Sequence, residues 1–385
     1  MQKNTHVIIQ FFKRADMLLL ALCCISTIFG IVAISSATLS YNTPTNNNNS
    51  VLVQTASFIL GLGLFALFTV IDIDIIADRW APLFVFNVVF ILLLIPFGVG
   101  GDETGNTAWL RFRGIGIQPA EVVKVTFIII TAKHATYLKQ YRDLSSPLSV
   151  AQLLAHFVFI FGLIVVVTGD LGSALVYMFI FVVMIFGAGV KLHWFAIGIA
   201  AVAAAMPFLW TNFLSENQIN RIMAPYNPNI DPTGDTVMWQ ANQSKLALAS
   251  GRFTGTGLYN GTQTQSNALP AKHTDFIFSV IGEELGMLGC IVVIILLIAI
   301  IIRCVQVGIK SHNTMNMLVC LGIAAIIAAQ TLENIGMCIG VAPVIGVTLP
   351  FFSYGGSHII ALFAAMGIVS GIKFRPKPER FRRYN

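Results

Sequence analysis

Residues 276–302 read FIFSVIGEELGMLGCIVVIILLIAIII, and this stretch decides the fold class. Its only charges are Glu283 and Glu284, and its second half is unbroken aliphatic sequence. A bilayer's hydrocarbon core is crossed by about 20 apolar residues in a helix, so the run is long enough to span one. It lacks the apolar-polar alternation of a half-buried strand. Working outward, nine further runs of the same character lie at 17–36, 51–70, 81–99, 117–132, 150–168, 172–190, 194–210, 317–340 and 355–372. A closed β-barrel is the other way to satisfy every backbone group in lipid, and the continuity of these runs argues against it. The sequence therefore predicts an all-α, polytopic membrane protein of ten transmembrane helices, one integral domain over 1–385.

Composition leads to the same place. Of 385 residues, 56% are apolar and 10% are charged, against roughly 25% charged in a soluble domain. A water-soluble globule of this size is excluded. The net charge of +6 is informative through position. Lys3, Lys13, Arg14, Arg79, Lys133, Lys139, Arg142, Lys191, Arg303, Lys310 and the tail from Lys373 to Arg383 fall on the side of the termini; Arg111, Arg113, Arg221, Lys245, Arg252 and Lys272 fall on the other. By the positive-inside rule both termini are cytoplasmic. The 373–385 tail is then a basic membrane-surface segment, with anionic lipid headgroups as its partner and no nucleic acid. The first run follows Lys13-Arg14 and resembles a signal sequence, but without a clear cleavage site it reads as an uncleaved first span. The six cysteines form no CxxC pair and no metal spacing, and they read as inert buried thiols.

Chemistry is expected on the outer side. The segment 211–275 is the one long connection, and loops of that length are usually functional or disordered. Its Trp239–Ser250 stretch is suited to an interfacial helix. Ionisable residues at membrane depth are costly and so mark function by default. Glu121 and Lys124, three apart after Gln118-Pro119, form either a self-neutralising ion pair or a site where Lys124 meets an anionic ligand. Asp170 caps a helix or serves the site. Asp275, at the start of the eighth span, is either a plain helix N-terminal acid or a general base kept ionised by the helix dipole and a nearby cation. Gln330, Glu333 and Asn334 form a polar stripe suited to interhelical hydrogen bonding. No P-loop, HExxH or GxSxG motif occurs. Nucleotide-driven chemistry is not expected.

Several stretches, taken in order, resemble the SEDS (shape, elongation, division, sporulation) family of RodA/FtsW/SpoVE glycosyltransferases. They are Trp109 with Gln118-Pro119-Ala120-Glu121 and Lys124; Asp170-Leu171-Gly172-Ser173-Ala174; Trp239-Gln240 with Gln243-Ser244; Gly255-x-Gly257; Leu269-Pro270 with His273-Thr274-Asp275-Phe276; Gly282-Glu283-Glu284-Leu285-Gly286; Asn334-Ile335-Gly336-Met337; and Leu349-Pro350-Phe351-Phe352-Ser353-Tyr354-Gly355-Gly356-Ser357. The resemblance implies polymerisation of lipid II, an undecaprenyl-diphosphate-linked disaccharide-pentapeptide, at the outer face of the bacterial cytoplasmic membrane. An acceptor hydroxyl attacks the donor's anomeric carbon with inversion, and undecaprenyl diphosphate leaves. It implies Asp275 as catalytic base and Lys124, with Arg111 or Arg113, as the cations facing diphosphate. Trp109, Gln118, Glu121, Gln243, Lys272, His273 and Ser353 are the further candidate substrate contacts. A divalent cation, Mg or Mn, would assist the leaving group, although no dedicated ligand set is visible. The implied protein partner is a class B penicillin-binding protein. Departures from the family pattern stand at Ala271, where many relatives have Glu, at His358, where many have Ser, and at Gly116, where division-type members often carry Arg. Two competing functions are a lipid II translocase and a non-enzymatic scaffold. A translocase would spread essential charges through the membrane depth, whereas here they gather on the outer side.

Overall fold

The computed structural model describes residues 14–41, 49–100, 107–112, 115–212, 214–227, 229–266, 268–311 and 313–375. The candidate Arg113 and residues 376–385 of the basic tail lie outside the described residues. In chain order the helices are α1 Met17–Leu39, α2 Ser50–Val70, α3 Ile73–Asp78, α4 Trp80–Leu92 and α5 Leu94–Phe97, then α6 Pro119–Tyr141, α7 Pro147–Thr168, α8 Leu171–Ala188, α9 Leu192–Asn212 and α10 Glu216–Met223. They continue as α11 Trp239–Gly251, α12 Thr262–Gln265, α13 Ile277–Lys310, α14 Thr314–Cys338 and α15 Gly356–Phe374. Each of the ten predicted runs falls mainly on helix, the 81–99 run ending in a short strand at 98–99 and the 117–132 run starting at the end of another. Among the described residues, nine segments are long and apolar enough to cross a membrane, with α4 and α5 read as one. The exception is α6, which has the length but carries Glu121, Lys124, Lys133 and Lys139 and packs among α4, α8, α14 and α15.

The all-α expectation holds, and two details add to it. The predicted all-α fold carries one small antiparallel sheet, β1 Gly98–Val99, β2 Trp109–Phe112 and β3 Ile115–Ile117, in the order β1-β2-β3. Its β2–β3 hairpin pairs Leu110 with Ile117 and Arg111 with Gly116. The Trp109 ring lies across Gly116, where an added Cβ would meet Cε3 at 3.3 Å. The first residues of the basic tail are also not left to lipid alone. Lys373 reaches Asp16 (3.3 Å) and Arg375 reaches Asp72 (2.9 Å), tying the end of α15 to the starts of α1 and α3. Asp16 is fully buried and also accepts from Arg303 Nε at 2.8 Å. A buried carboxylate of this kind is tolerated because it is paired.

Close helix packing uses small residues, as expected where lipid removes a hydrophobic drive between helices. The pairing of α15 with α2 depends on Gly367 and Gly371, where a Cβ would fall 2.6 Å from the Phe65 carbonyl oxygen and 2.8 Å from that of Phe68. The long α13 is broken at Gly286 (φ 68°, ψ −166°). Non-helical backbone at membrane depth must find partners inside the protein, and the 252–257 segment supplies them. Met287 and Leu288 N–H groups donate to the Arg252 and Phe253 carbonyls, while Thr256 and Gly257 N–H groups donate to those of Glu283 and Glu284. The Gly255-x-Gly257 pair thus serves backbone contact: a Cβ on Gly255 would lie 2.1 Å from the Glu284 carbonyl oxygen.

Candidate active site

The end of the bundle that carries the long loop holds most of the sequence candidates, and the turn 269–276 is its centre. Ala271 takes a left-handed conformation (φ 44°), unusual without glycine. Its carbonyl then accepts from the N–H groups of Thr274, Asp275 and Phe276 and from the Thr274 hydroxyl. From α14, Asn334 Nδ2 donates to the carbonyls of Asp275 and Val347, each at 2.7 Å. Of the α14 polar stripe, Asn334 makes the expected bonds between elements, one of them to the backbone of Asp275, whereas Gln330 Oε1 and Glu333 Oε2 are buried without a hydrogen-bond partner among the described residues. Ser353, fully buried, closes the turn 349–353 on the Leu349 N–H and donates to the Thr274 carbonyl.

Asp275 is partly accessible but densely surrounded by protein. That burial pushes its carboxyl up to about 6; the Thr274 hydroxyl opposes the rise and the nearby Asp170 adds to it. The expected neighbouring cation is not what sets this group. Lys272, three residues before Asp275, turns inward with no exposed surface. Its ammonium donates to Ser40 Oγ (2.6 Å) and to the Thr264 carbonyl, and it stands 4.5 Å from the Tyr41 ring centroid. Burial brings it down to about 8, against the pull of Glu283 and Glu284. His273 packs between Tyr41 and Tyr354, and burial, aided by Lys272, lowers it to about 4, so it is a neutral ring at pH 7.

A second cluster lies on α6. Lys124, 1% exposed, binds Glu121 Oε1 at 2.6 Å, and the other oxygen, Oε2, lies 2.7 Å from His358 Nδ1 at the start of α15. Gln118 joins the same two elements, its N–H donating to Ser357 Oγ and its side chain to Asp170 Oδ2 (3.3 Å). Asp170 caps α8 through the Ser173 N–H and hydroxyl. Lys124 is within electrostatic range of Asp170 and Glu333, as Asp170 is of Asp275. The 345–347 turn packs beside both aspartates: a Cβ on Gly346 would be 3.4 Å from Asp275 Oδ2, and one on Gly172 would be 2.9 Å from the Ile345 carbonyl oxygen. The first of the two alternatives for Glu121 and Lys124, a self-neutralising ion pair, is the arrangement seen, and the pair sits in a wider polar cluster with His358.

Other candidates lie further out. Arg111 is exposed on β2 and Trp109 is half-buried beside it. Gln243 is half-buried on α11, whose Ser244 hydroxyl bonds Ser279 on α13 and the Cys338 carbonyl. Glu283 anchors the loop: its carboxylate accepts from the Gln263 and Thr264 N–H groups and from the hydroxyls of Thr264, Thr262 and Ser250. Glu284 accepts from Ser36 (2.6 Å) and from Gln265. Among the described residues, no three His, Cys, Asp or Glu side chains are arranged to hold a metal ion. His358 is the participant that motif reading passed over; its departure from the family pattern was the one available signal, and its partner stands 237 positions away.

A polytopic helical membrane protein with a poised carboxylate and a buried lysine at one end of its bundle is the class that fold and site define. Comparison with known proteins makes this specific: the chain belongs to the FtsW/RodA/SpoVE family of cell cycle proteins, matched over residues 16–377. It is 34% identical over 369 residues to a probable peptidoglycan glycosyltransferase FtsW of Trichlorobacter lovleyi, covering 94% of each chain. It is 32% identical over 296 residues to the peptidoglycan glycosyltransferase MrdB of Escherichia coli, covering 77% of this chain and 78% of that one. Among solved structures, a chain of a peptidoglycan synthase complex superposes with a TM-score of 0.77 at 25% identity, covering 93% of this chain and 97% of that one. The rod-shape-determining protein RodA of Thermus thermophilus shares the fold, with a TM-score of 0.68 at 24% identity, covering 93% and 96%.

Proposed function

We propose that the protein is a peptidoglycan glycosyltransferase that polymerises lipid II into glycan strands at the outer face of the bacterial cytoplasmic membrane. Asp275 accepts the proton of the acceptor's sugar hydroxyl as its oxygen bonds to the donor's anomeric carbon. The bond from that carbon to the diphosphate oxygen breaks, giving inversion. A carboxyl raised to about 6 suits this task, being ionised at neutral pH yet more basic than a solvated aspartate. Lys124 and Arg111 stabilise the departing diphosphate, where negative charge accumulates. Trp109, Gln118 and Gln243 face the substrate around them, whereas Lys272, His273 and Ser353 act on the turn that carries Asp275. The termini are cytoplasmic, and the protein works beside a class B penicillin-binding protein that crosslinks its product.

The single observation that carries this function is the placement of Asp275: its backbone is fixed by Asn334 and Ala271, and the residue stays partly accessible within electrostatic range of Asp170, which Gln118 binds. The test is to supply lipid II to the purified protein and its partner in vesicles, following strand length and lipid movement separately. Strand formation without net lipid transfer is expected. Transfer across the bilayer without polymer would instead establish the translocase.

A further inference from the structure

His358 has no part in the reaction above, yet it shares a carboxylate with Lys124. It is 2% exposed and lies in the first turn of α15, a 19-residue helix whose positive dipole end therefore points into this region. Nδ1 is 2.7 Å from Glu121 Oε2, and the other Glu121 oxygen holds the Lys124 ammonium at 2.6 Å. An ionised carboxylate only accepts, so Nδ1 carries a proton. Nε2, buried, has no hydrogen-bond partner among the described residues. A buried polar nitrogen without a partner calls for an explanation, and the arrangement offers one. A carboxylate that fixes one imidazole nitrogen aims the other at a ligand. The charge count points the same way. Glu121 matches the positive charge of Lys124, so the pair alone brings no net charge to a diphosphate, and a His358 ring that donates from Nδ1 to Glu121 and from Nε2 to a phosphate adds one positive charge to the bound cluster.

We propose that His358 is a diphosphate-binding residue: oriented by Glu121, its Nε2–H donates to a phosphate oxygen of the lipid carrier alongside Lys124. This rests on the reading of Lys124 as facing diphosphate. The two ring nitrogens have different amide mimics, which separates binding from a merely structural role. His358→Asn keeps an amide near Nδ1, and with it the contact to Glu121, but loses Nε2. His358→Gln places its amide near Nε2 and gives up the Glu121 contact.

The experiment measures binding of undecaprenyl diphosphate and undecaprenyl monophosphate to the full chain in phosphatidylcholine nanodiscs. The wild type should prefer the diphosphate. His358→Asn should weaken diphosphate binding about tenfold, the loss of one charge-assisted hydrogen bond, with monophosphate binding changed much less. His358→Gln should stay within about threefold of wild type, allowing for ordinary context dependence of such a bond. The opposite order, with Asn harmless and Gln damaging, would show that His358 only holds Glu121 and would overturn the proposal. A wild type with no preference for diphosphate would overturn the reading of Lys124 itself. Should His358→Asn fail to fold, the diphosphate-to-monophosphate ratio of His358→Gln decides: preserved supports the proposal, abolished refutes it.

Discussion

Asp275→Asn should make the protein more stable while leaving it inactive. The carboxyl rises from an ordinary 3.8 to about 6 in the folded chain, chiefly through burial. At about 1.4 kcal/mol per pH unit, that places a cost of about 3 kcal/mol on the ionised folded state. Partial access to solvent lowers the figure to about 2 kcal/mol. The sign follows from proton binding. Between pH 4 and 6 the folded state holds more protons than the unfolded chain, so wild-type stability falls as pH rises through that window and levels off above it. Asparagine removes the charge and with it this loss. At pH 7.5 the variant should unfold a few degrees above wild type, and at pH 4.5 most of the difference should vanish. Thermal unfolding in nanodiscs, followed by tryptophan fluorescence at one scan rate, measures this, since membrane proteins commonly unfold irreversibly. A variant that melts at or below wild type at pH 7.5, or whose advantage is unchanged at pH 4.5, would refute the reasoning.

The same carboxyl predicts that kcat/KM for polymerisation falls about tenfold per pH unit below 6 as the base becomes protonated; a flat profile down to pH 5 would remove Asp275 from that role. Lys124→Met leaves Glu121 buried with only His358 beside it and should cost about 3–5 kcal/mol of stability. Adding Glu121→Gln should recover most of that stability in a melting assay but none of the polymerisation. Glu283→Gln cannot accept all five of its donors. The 252–266 loop should then open about 10- to 100-fold more often, the equivalent of about 1.5–3 kcal/mol for hydrogen bonds to a charged group, read as faster proteolysis within the loop.

Much of this molecule is legible in the sequence because a bilayer leaves few solutions. Every long apolar run becomes a helix, and even α6, whose charges take it below ordinary membrane apolarity, was located by Gln118-Pro119 and the run that follows. Three features resist such reading for physical reasons. The sheet around Trp109 is made of strands only two to four residues long, too short for a period of two to register. The direction of Lys272 depends on the left-handed turn at Ala271, a backbone choice that composition near the turn does not announce. The Glu121–His358 contact joins elements 237 positions apart, and no local pattern encodes it. Asp275 shows a related limit. Its place at the start of α13 and its ionised state at neutral pH are readable, but the burial that raises it to about 6 is set by segments distant in sequence.

The central claim is that Asp275 removes the acceptor proton during strand synthesis. Its most direct measurement is the yield and length of glycan made from lipid II by purified wild-type protein and by Asp275→Asn, each with the crosslinking partner, at matched amounts of folded protein. A loss of about 100-fold or more is predicted, the scale of removing a general base, with lipid II binding retained. Strands of normal length and yield from Asp275→Asn would contradict it.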